Sequence, residues 1–271
     1  MQKVSVIIPT MKGREELLKK LRSTISEDYE TIVVDDPDLL LAAKRNKGAS
    51  KSTGRYLLFI DDDNYIEPGA IFYMVQDFND HVGVMGMVAC YDDKKKLVAD
   101  GGSIRSYLSG FMCGCNTNAR IYNIESGIYS VSEVANAFMI RRDVFEASGG
   151  FDEKNFPIDL DEADICKRIK DMGYLIVMNS KAICYHKSIT YSSIPDFRRP
   201  MNAYFMGRNR ILFQKKHLSK INLLIYFLFF FPIFYFGYFA SLFYRRKPWM
   251  VAHFTKGVID GIFGRFKNKY Q

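Results

Sequence analysis

Residues 56–64 read YLLFIDDDN, and this stretch decides the fold. Five apolar, strand-forming residues run straight into three carboxylates, Asp61, Asp62 and Asp63. Along an extended strand, alternation puts Asp61 and Asp63 on one side and Asp62 on the other. Adjacent like charges are costly unless a cation or solvent relieves them. Hard oxygen donors at the carboxyl end of a buried strand suit Mg²⁺ or Mn²⁺ carrying a substrate's phosphates. Taken alone, the triplet also fits a solvated turn whose carboxylates cap the next element.

The flanking sequence repeats the pattern. Val4–Ile8 is a β-branched run stopped by Pro9, and Glu30–Val34 is a second strand ending in Asp35 and Asp36. Between them, Leu17, Leu18, Leu21 and Ile25 fall on one helical face. A helix is expected from about Leu39, punctuated by Gly54, and another opens at Pro68. Strand and helix in alternation predict a doubly wound α/β domain, whose ligands bind outside the carboxyl ends of the strands. Pro9-Thr10, Asp35-Asp36 and Asp61–Asp63 all lie at such ends. Further strands are expected at Val82–Cys90, Ala135–Ile140, Tyr174–Met178 and Ala182–Tyr185, and a helix at Asp161–Met172. Residues 91–130 read as a loop or flap.

The charge is divided. The whole chain of 271 residues carries +8, yet residues 187–271 hold 15 Lys+Arg against 2 Asp+Glu, while residues 1–186 are mildly acidic. The basic part also contains the longest apolar run, which points to an anionic membrane surface and away from nucleic acid. The five cysteines lack zinc-finger spacing, and Cys113-Gly-Cys115 reads as small residues in a loop, so a reducing compartment fits. MQKVSVIIPT enters a strand directly, without the pattern of a secretory leader, so the front of the chain is expected in the cytoplasm.

A second acidic cluster, DLDEAD at 159–164, opens the helix that follows it. Carboxylates in a first turn are stabilised by the helix dipole, so capping alone would explain them. Paired with the acidic strand end, however, one cluster can hold a metal–diphosphate while the other supplies a general base.

At this point the chain resembles the family 2 glycosyltransferases of GT-A fold, particularly the rhamnosyltransferase-like branch. The carriers are VSVIIPT at 4–10, IVVDD at 32–36, AKRNKG at 43–48, GRYLLFIDDDNYIEPGAI at 54–71, MIRRDVFEASGGFDE at 139–153, DEADICKRIKDMGY at 161–174 and YHK at 185–187. The resemblance implies a Rossmann-like GT-A domain over residues 1–200, followed by a basic, apolar helical membrane-associating region over 201–271. It implies that Pro9 and Thr10 border the nucleotide base, that Asp35 or Asp36 binds base or ribose, and that Arg45 lies near base and diphosphate. Asp61–Asp63 match the D-x-D motif, with Asp61, Asp63 and His186 in the metal set for Mg²⁺ or Mn²⁺ and Asp62 near the ribose. The base falls on Glu162, with Asp161 as the alternative, because Asp161-Glu162-Ala163-Asp164 departs from the usual Glu-Asp-x-Asp order. Pro37-Asp38 and Lys12-Gly13 also replace customary residues. The implied reaction is inverting transfer from a UDP-, dTDP- or GDP-sugar. A polyprenyl-phosphate sugar synthase and an inactive membrane-anchored scaffold are the alternatives.

Residues 221–244, INLLIYFLFFFPIFYFGYFASLFY, carry no charge and exceed the roughly 20 residues needed to cross a bilayer. Lys215, Lys216 and Lys220 precede the run and Arg245, Arg246 and Lys247 follow it. Basic residues on both flanks fit a hairpin broken near Pro232 at the cytoplasmic leaflet better than a one-way crossing. Residues 249–266 read as an amphipathic helix on the membrane surface. With GRNRILF at 207–213, they resemble tails of the same branch, and the resemblance makes Arg208 and Arg210 candidate diphosphate contacts. Membrane association through 215–266 implies a lipid-linked acceptor.

Overall fold

The computed structural model describes residues 3–134, 136–187, 200–244 and 247–265. The first elements are β1 (Val4–Pro9), α1 (Glu15–Arg22), β2 (Glu30–Val34), α2 (Leu41–Lys51), β3 (Tyr56–Ile60), β4 (Asn64–Ile66), α3 (Ala70–Asp77) and β5 (Val82–Tyr91). Short strands follow: β6 (Val98–Asp100), β7 (Ser103–Arg105), β8 (Met112–Gly114) and β9 (Ile128–Ser130). Next come β10 (Ala137–Arg141), α4 (Arg142–Ala147), α5 (Asp161–Asp171) and β11 (Leu175–His186). The last elements are α6 (Pro200–His217), α7 (Lys220–Ile225), α8 (Phe231–Tyr244) and α9 (Met250–Phe263).

The chain divides into two compact units. One comprises Met1–Ile104, Cys113–Glu153 and Asp161–Pro195; the other comprises Arg105–Met112, Lys154–Leu160 and Asp196–Gln271. The second therefore draws in two segments that lie before residue 200.

The first unit is built on a nine-stranded sheet of order β2-β1-β3-β10-β5-β11-β4, with β6 on β5 and β9 on β11. β1 runs parallel to β2 and β3, whereas β10 is inserted antiparallel between β3 and β5. Alternation sends β1 side chains to both faces. Val4, Val6 and Ile8 pack with Leu21 of α1 and Ile71 and Met74 of α3. Ile7 packs on the other face with Ala42 and Ala49 of α2, Phe145 of α4 and Ile165 and Ile169 of α5. Each fully buried Ile, Leu or Phe contributes about 1.5–3 kcal/mol. The two strands expected at 174–185 form one, β11, because a bulge between Asn179 and Ile183 absorbs the irregular stretch. Residues 91–130 contain four short strands, and Tyr129 donates to the Gly101 carbonyl at 2.9 Å. Ala135, the expected start of β10, lies outside the described residues.

The second unit is organised by α6 and α9. A Cβ at Gly257 would lie 2.0 Å from the Tyr204 carbonyl oxygen, and one at Gly261 2.7 Å from that of Arg208. Backbone thus meets backbone, and only glycine fits. The face of α9 expected on a membrane surface is in part spent on this packing: Met250, Phe254 and Val258 are buried, while Trp249, Ile259 and Phe263 are exposed. Asn209 donates to the carbonyls of Ile158 and Asp159, both at 2.8 Å. That grip holds Asp159 and Leu160 at φ of 67° and 63°, a left-handed backbone costly for residues other than glycine.

The break expected at Pro232 does not occur. Tyr226–Phe230 form a π turn joining α7 to α8, so Lys220–Tyr244 is one continuous helix of 25 residues. Pro232 lies at the second position of α8, directly after this wider turn, which accommodates its missing N–H. At 1.5 Å per residue the helix is about 37 Å long, enough to cross a bilayer. Only 11% of its apolar window is buried, which sets it apart from a core helix. The flanking Arg245 and Arg246 lie outside the described residues.

Candidate active site

The carboxyl ends of β1, β2 and β3 gather the site within the first unit. β3 stops at Ile60, so the three aspartates do not alternate as a strand would require. The Asn64 amide donates to the Asp61 carbonyl at 3.0 Å and closes a turn, while the Asp61 amide donates to the Asn136 carbonyl at 3.0 Å. The three carboxylates therefore diverge. Asp61 meets Arg45, Asp62 meets Thr10 and Arg14, and Asp63 faces His186.

Arg45 is the hub. α2 can bring it in because Gly48 lets the helix approach β1, where a Cβ would stand 2.3 Å from Ile7 Cγ2. Arg45 Nη1 donates to Asp161 Oδ2 at 2.6 Å and Glu162 Oε1 at 2.8 Å, and Nη2 donates to Asp61 Oδ1 at 2.9 Å. Its side chain is 0% exposed, so the guanidinium is committed to carboxylates and is not open to a diphosphate. Asp164 in the first turn of α5 takes a separate task, pairing with Arg168 at 2.8 Å while Arg168 holds the Gly150 carbonyl at 2.7 Å.

The hub sorts its acids. Burial raises Asp161 well above the ordinary aspartate value; neighbouring Glu162 adds to the rise and Arg45 opposes it. Burial pushes Glu162 upward too, but Arg45 and a hydrogen bond from Asp161 more than offset it, leaving Glu162 below the ordinary glutamate value. Asp161 Oδ1 is buried with no hydrogen bond donated to it, so nothing at that oxygen offsets the cost of ionisation. Of the two, Asp161 is the carboxyl pushed up and Glu162 the one held down. Burial also raises Asp61, against the pull of Arg45.

His186 Nε2 stands 3.7 Å from Asp63 Oδ1, too far for a hydrogen bond, and its Nδ1 is buried without a partner. Two ligands each roughly 2.1 Å from one cation lie about 3–4 Å apart, so this pair fits a divalent metal. Asp61 has its Oδ1 engaged by Arg45. Among the described residues no three His, Cys, Asp or Glu side chains converge as a closed cage. A cation here would draw its remaining ligands from substrate or water.

On the nucleotide side, Thr10 Oγ1 donates to Asp62 at 2.7 Å and Lys44 Nζ donates to the Thr10 carbonyl at 2.5 Å. Pro9 ends β1 beside Val34, Asp35 is exposed, and Asp36 pairs with Lys47 at 2.6 Å. Hydrogen bonding to Lys47 holds Asp36 below the ordinary aspartate range. Asp62 is also met by Arg14 at 2.5 Å. Arg14, Lys44 and Asp100 are residues that sequence reasoning missed. Lys44 stands inside the quoted AKRNKG segment and could have been found there. Asp100, which accepts from Asn136 at 3.3 Å and feels both His186 and Glu162, lies in the stretch 91–130 that was read only as a loop or flap, and gave no signal.

Arg208 has partners of its own. It lies in the second unit, 2% exposed, donating to the Asn155 carbonyl at 2.8 Å, to Asn209 at 2.8 Å and to the Arg265 carbonyl at 3.0 Å. Its hydrogen bonds are spent on structure.

Residues 38–149, less than half of the chain, match the family model described as glycosyl transferase family 2. The fold is GT-A-like. Over 97% of this chain and 88% of the other, it superposes on the mannosyltransferase PcManGT from Pyrobaculum calidifontis, solved with GDP-Man and Mn²⁺, at a TM-score of 0.54 and 11% identity. It also superposes on GalNAc-T7, solved with UDP, GalNAc and Mn²⁺, at a TM-score of 0.51 and 13% identity over 79% of this chain. The match spans 50% of the length of GalNAc-T7. No curated protein sequence matches the chain. The family match supports a glycosyltransferase; the superpositions establish the architecture.

Proposed function

We propose that this protein is an inverting, metal-dependent glycosyltransferase that moves a sugar from a nucleotide-diphosphate donor to a lipid-linked acceptor at the cytoplasmic face of a membrane, in polysaccharide or glycan assembly. The observation that carries the reading is the single guanidinium of Arg45, which ties the strand-end Asp61 to Asp161 and Glu162 at the start of α5. This is the arrangement a GT-A enzyme needs, with a donor edge and a general base held in one frame.

Glu162 is the base. Its side chain is 17% exposed whereas that of Asp161 is 0% exposed, so only Glu162 is open to an acceptor hydroxyl. Glu162 accepts the hydroxyl proton as the oxygen bonds to the anomeric carbon. The bond from that carbon to the diphosphate oxygen breaks, and the diphosphate leaves with the electron pair. Attack from the opposite face inverts the centre. Asp161 and Arg45 position Glu162 and keep it ionised. Arg14, 36% exposed beside Asp62 and Asp63, is the cation available to the leaving group. A divalent cation between Asp63 and His186 would neutralise charge on the diphosphate. The Mn²⁺ and nucleotides in the PcManGT and GalNAc-T7 structures support that donor class. The continuous apolar helix Lys220–Tyr244 supports the membrane acceptor.

Calorimetric titration with UDP, GDP, dTDP and CDP, with and without Mn²⁺, tests the reading. One diphosphate is expected to bind only with metal, and Asp63→Asn to lose that binding. Failure of all four to bind would overturn it.

A further inference from the structure

Three of the cations gathered at the donor edge are already balanced by carboxylates. Arg14 pairs with Asp62 at 2.5 Å and stands 3.6 Å from Asp63. Arg45 pairs with Asp61, Asp161 and Glu162, and Lys47 pairs with Asp36 at 2.6 Å. Lys44 differs from all three. Among the described residues its Nζ pairs with no carboxylate, and its one hydrogen bond goes to the Thr10 carbonyl at 2.5 Å.

The fold places this ammonium over the strand ends. α2 follows directly on the loop after β2, and Lys44 is its fourth residue. Gly48, one turn later on the same face, lies close over both strands; a Cβ there would stand 2.3 Å from Ile7 Cγ2 and 3.3 Å from Val34 Cγ2. Lys44 is therefore laid across the carboxyl ends of β1 and β2, where an α/β sheet binds its ligand. Thr10 links it to the aspartate triplet, since Thr10 Oγ1 donates to Asp62 Oδ2 at 2.7 Å. Asp62 adjoins Asp63, one of the pair that fits a divalent cation.

Lys44 is only 6% exposed, and a lysine buried to that degree is ordinarily paired. The Thr10 carbonyl offers a partial charge to a group with three N–H donors. Asp36 feels the charge of Lys44, but its carboxylate is held by Lys47 and by the Asp38 amide. A buried ammonium without a counter-charge costs stability, and the packing around it gives no reason for one. A negatively charged ligand does. A nucleoside diphosphate brings more negative charge than one divalent cation cancels. Arg14 divides its charge between two aspartates, whereas no carboxylate has claimed that of Lys44.

We propose that Lys44 binds a phosphate oxygen of the donor nucleotide through a charge-assisted hydrogen bond. The assignment rests on the transferase reading above. Its signature is stability given up for binding. Replacing an uncompensated buried ammonium by an apolar side chain is neutral or stabilising. A lysine present only to hold the Thr10 carbonyl would instead be missed in the folded chain.

The test is Lys44→Met in the full chain, titrated with UDP, GDP, dTDP and CDP in the presence of Mn²⁺, and unfolded thermally without nucleotide. The diphosphate that binds the wild type is expected to bind Lys44→Met roughly tenfold or more weakly. The nucleotide-free transition should be as high as that of the wild type or higher. The matching nucleoside should bind both proteins alike.

Wild-type binding that Lys44→Met leaves unchanged would overturn this contact and leave the transferase reading standing. Weaker binding together with a lower transition would make Lys44 a strut for Thr10 and overturn it too. Equal weakening of the nucleoside would move the contact to base or ribose, against the proposal. If Lys44→Met aggregates, Lys44→Arg and Lys44→Gln decide instead. The charged variant should then bind the diphosphate several-fold more tightly, and equal affinities count against the contact. If none of the four diphosphates binds the wild type, the transferase reading falls and takes this contact with it.

Discussion

Arg45 and Asp161 stand 116 positions apart in sequence and meet at 2.6 Å with both side chains fully buried. The contact fastens the end of a parallel strand system to the start of a helix that the chain reaches only after the inserted β10. A charge so deeply buried is tolerable only because three carboxylates surround it. Its energetic role is therefore conditional on the whole set.

Removing the guanidinium tests that set. Arg45→Met leaves Asp61, Asp161 and Glu162 facing one another, and the expected loss is about 3–5 kcal/mol of unfolding free energy. Arg45→Lys should recover little of it, because a point ammonium lacks the planar fork that bridges three acceptors. Urea denaturation measures both. A loss below about 1 kcal/mol in Arg45→Met would show that the carboxylates find protons or solvent as readily without it.

The two acids of α5 should differ in kind. Glu162→Gln is expected to reduce turnover by about 10²–10⁴ while donor binding is kept. Asp161→Asn replaces a carboxyl that burial already drives toward its neutral form with a neutral side chain, so its loss should be within about tenfold. Single-turnover transfer with matched nucleotide titrations separates the two. The opposite ranking would give the base role to Asp161.

The pH profile carries the same distinction with a definite sign. Glu162 lies below the ordinary glutamate value, so it is ionised, and competent as a base, above that point and fails only as pH falls through it. Neutral and mildly acidic pH should show no limb from Glu162. Asp161 lies above the ordinary aspartate value, so its contribution to stability is complete below that value and is lost as pH rises through its folded one. Asp161→Asn should therefore gain stability relative to wild type as pH rises from about 4. Thermal unfolding across that range reads the trend, and a loss of stability in Asp161→Asn relative to wild type as pH rises would contradict the raised value of Asp161.

Much of this architecture was legible in the sequence because β1 and β3 are largely apolar runs buried on both faces, β2 carries the apolar Ile32–Val34, and all three end in polar or turn residues. The spread of Asp61–Asp63 was not legible, because it depends on β3 ending one residue before the triplet and on the Asp61 amide finding the Asn136 carbonyl. Arg45 stood out in the AKRNKG segment, yet its partners were hidden: nothing local in a sequence says that a helix more than a hundred residues away will supply two carboxylates. The partners of Arg208 were hidden for the complementary reason. An arginine in a basic tail looks solvated until the carbonyls of Asn155 and Arg265 are seen to claim it. The kink at Pro232 was foreseen as a break because proline's missing donor is local, whereas the compensating π turn depends on the backbone before it.

The apolar helix makes a prediction independent of catalysis. Phe229, Ile233 and Phe236 are 63%, 61% and 66% exposed along it. Placing an aspartate at the centre of a membrane-inserted helix costs about 2.5–3.5 kcal/mol per residue. Ile233→Asp with Phe236→Asp should shift the protein from the vesicle-bound to the soluble fraction in flotation on anionic liposomes, with nucleotide binding unchanged. Co-flotation of the double variant at wild-type levels would assign the exposed face to a protein partner or to the basic residues alone.

The glycines of the second unit give the last prediction. A Cβ at Gly257 would fall 2.0 Å from the Tyr204 carbonyl oxygen and 3.1 Å from the Arg208 amide, both backbone atoms that cannot rotate aside. Gly257→Ala must therefore push α9 away from α6, loosening the hydrogen bond between Tyr204 and Asp260 at 3.0 Å and the one from Arg208 to the Arg265 carbonyl. Overpacking of this kind costs about 1–3 kcal/mol. Gly237, on the apolar helix, has nothing within 4 Å of its Cβ position, so Gly237→Ala should be neutral or stabilising by up to about 1 kcal/mol through helix propensity. Limited proteolysis of the two variants side by side is the measurement. Faster cleavage of the C-terminal segment in Gly257→Ala, with Gly237→Ala unchanged, is expected; equal rates would mean that α9 does not depend on its glycine contact with α6.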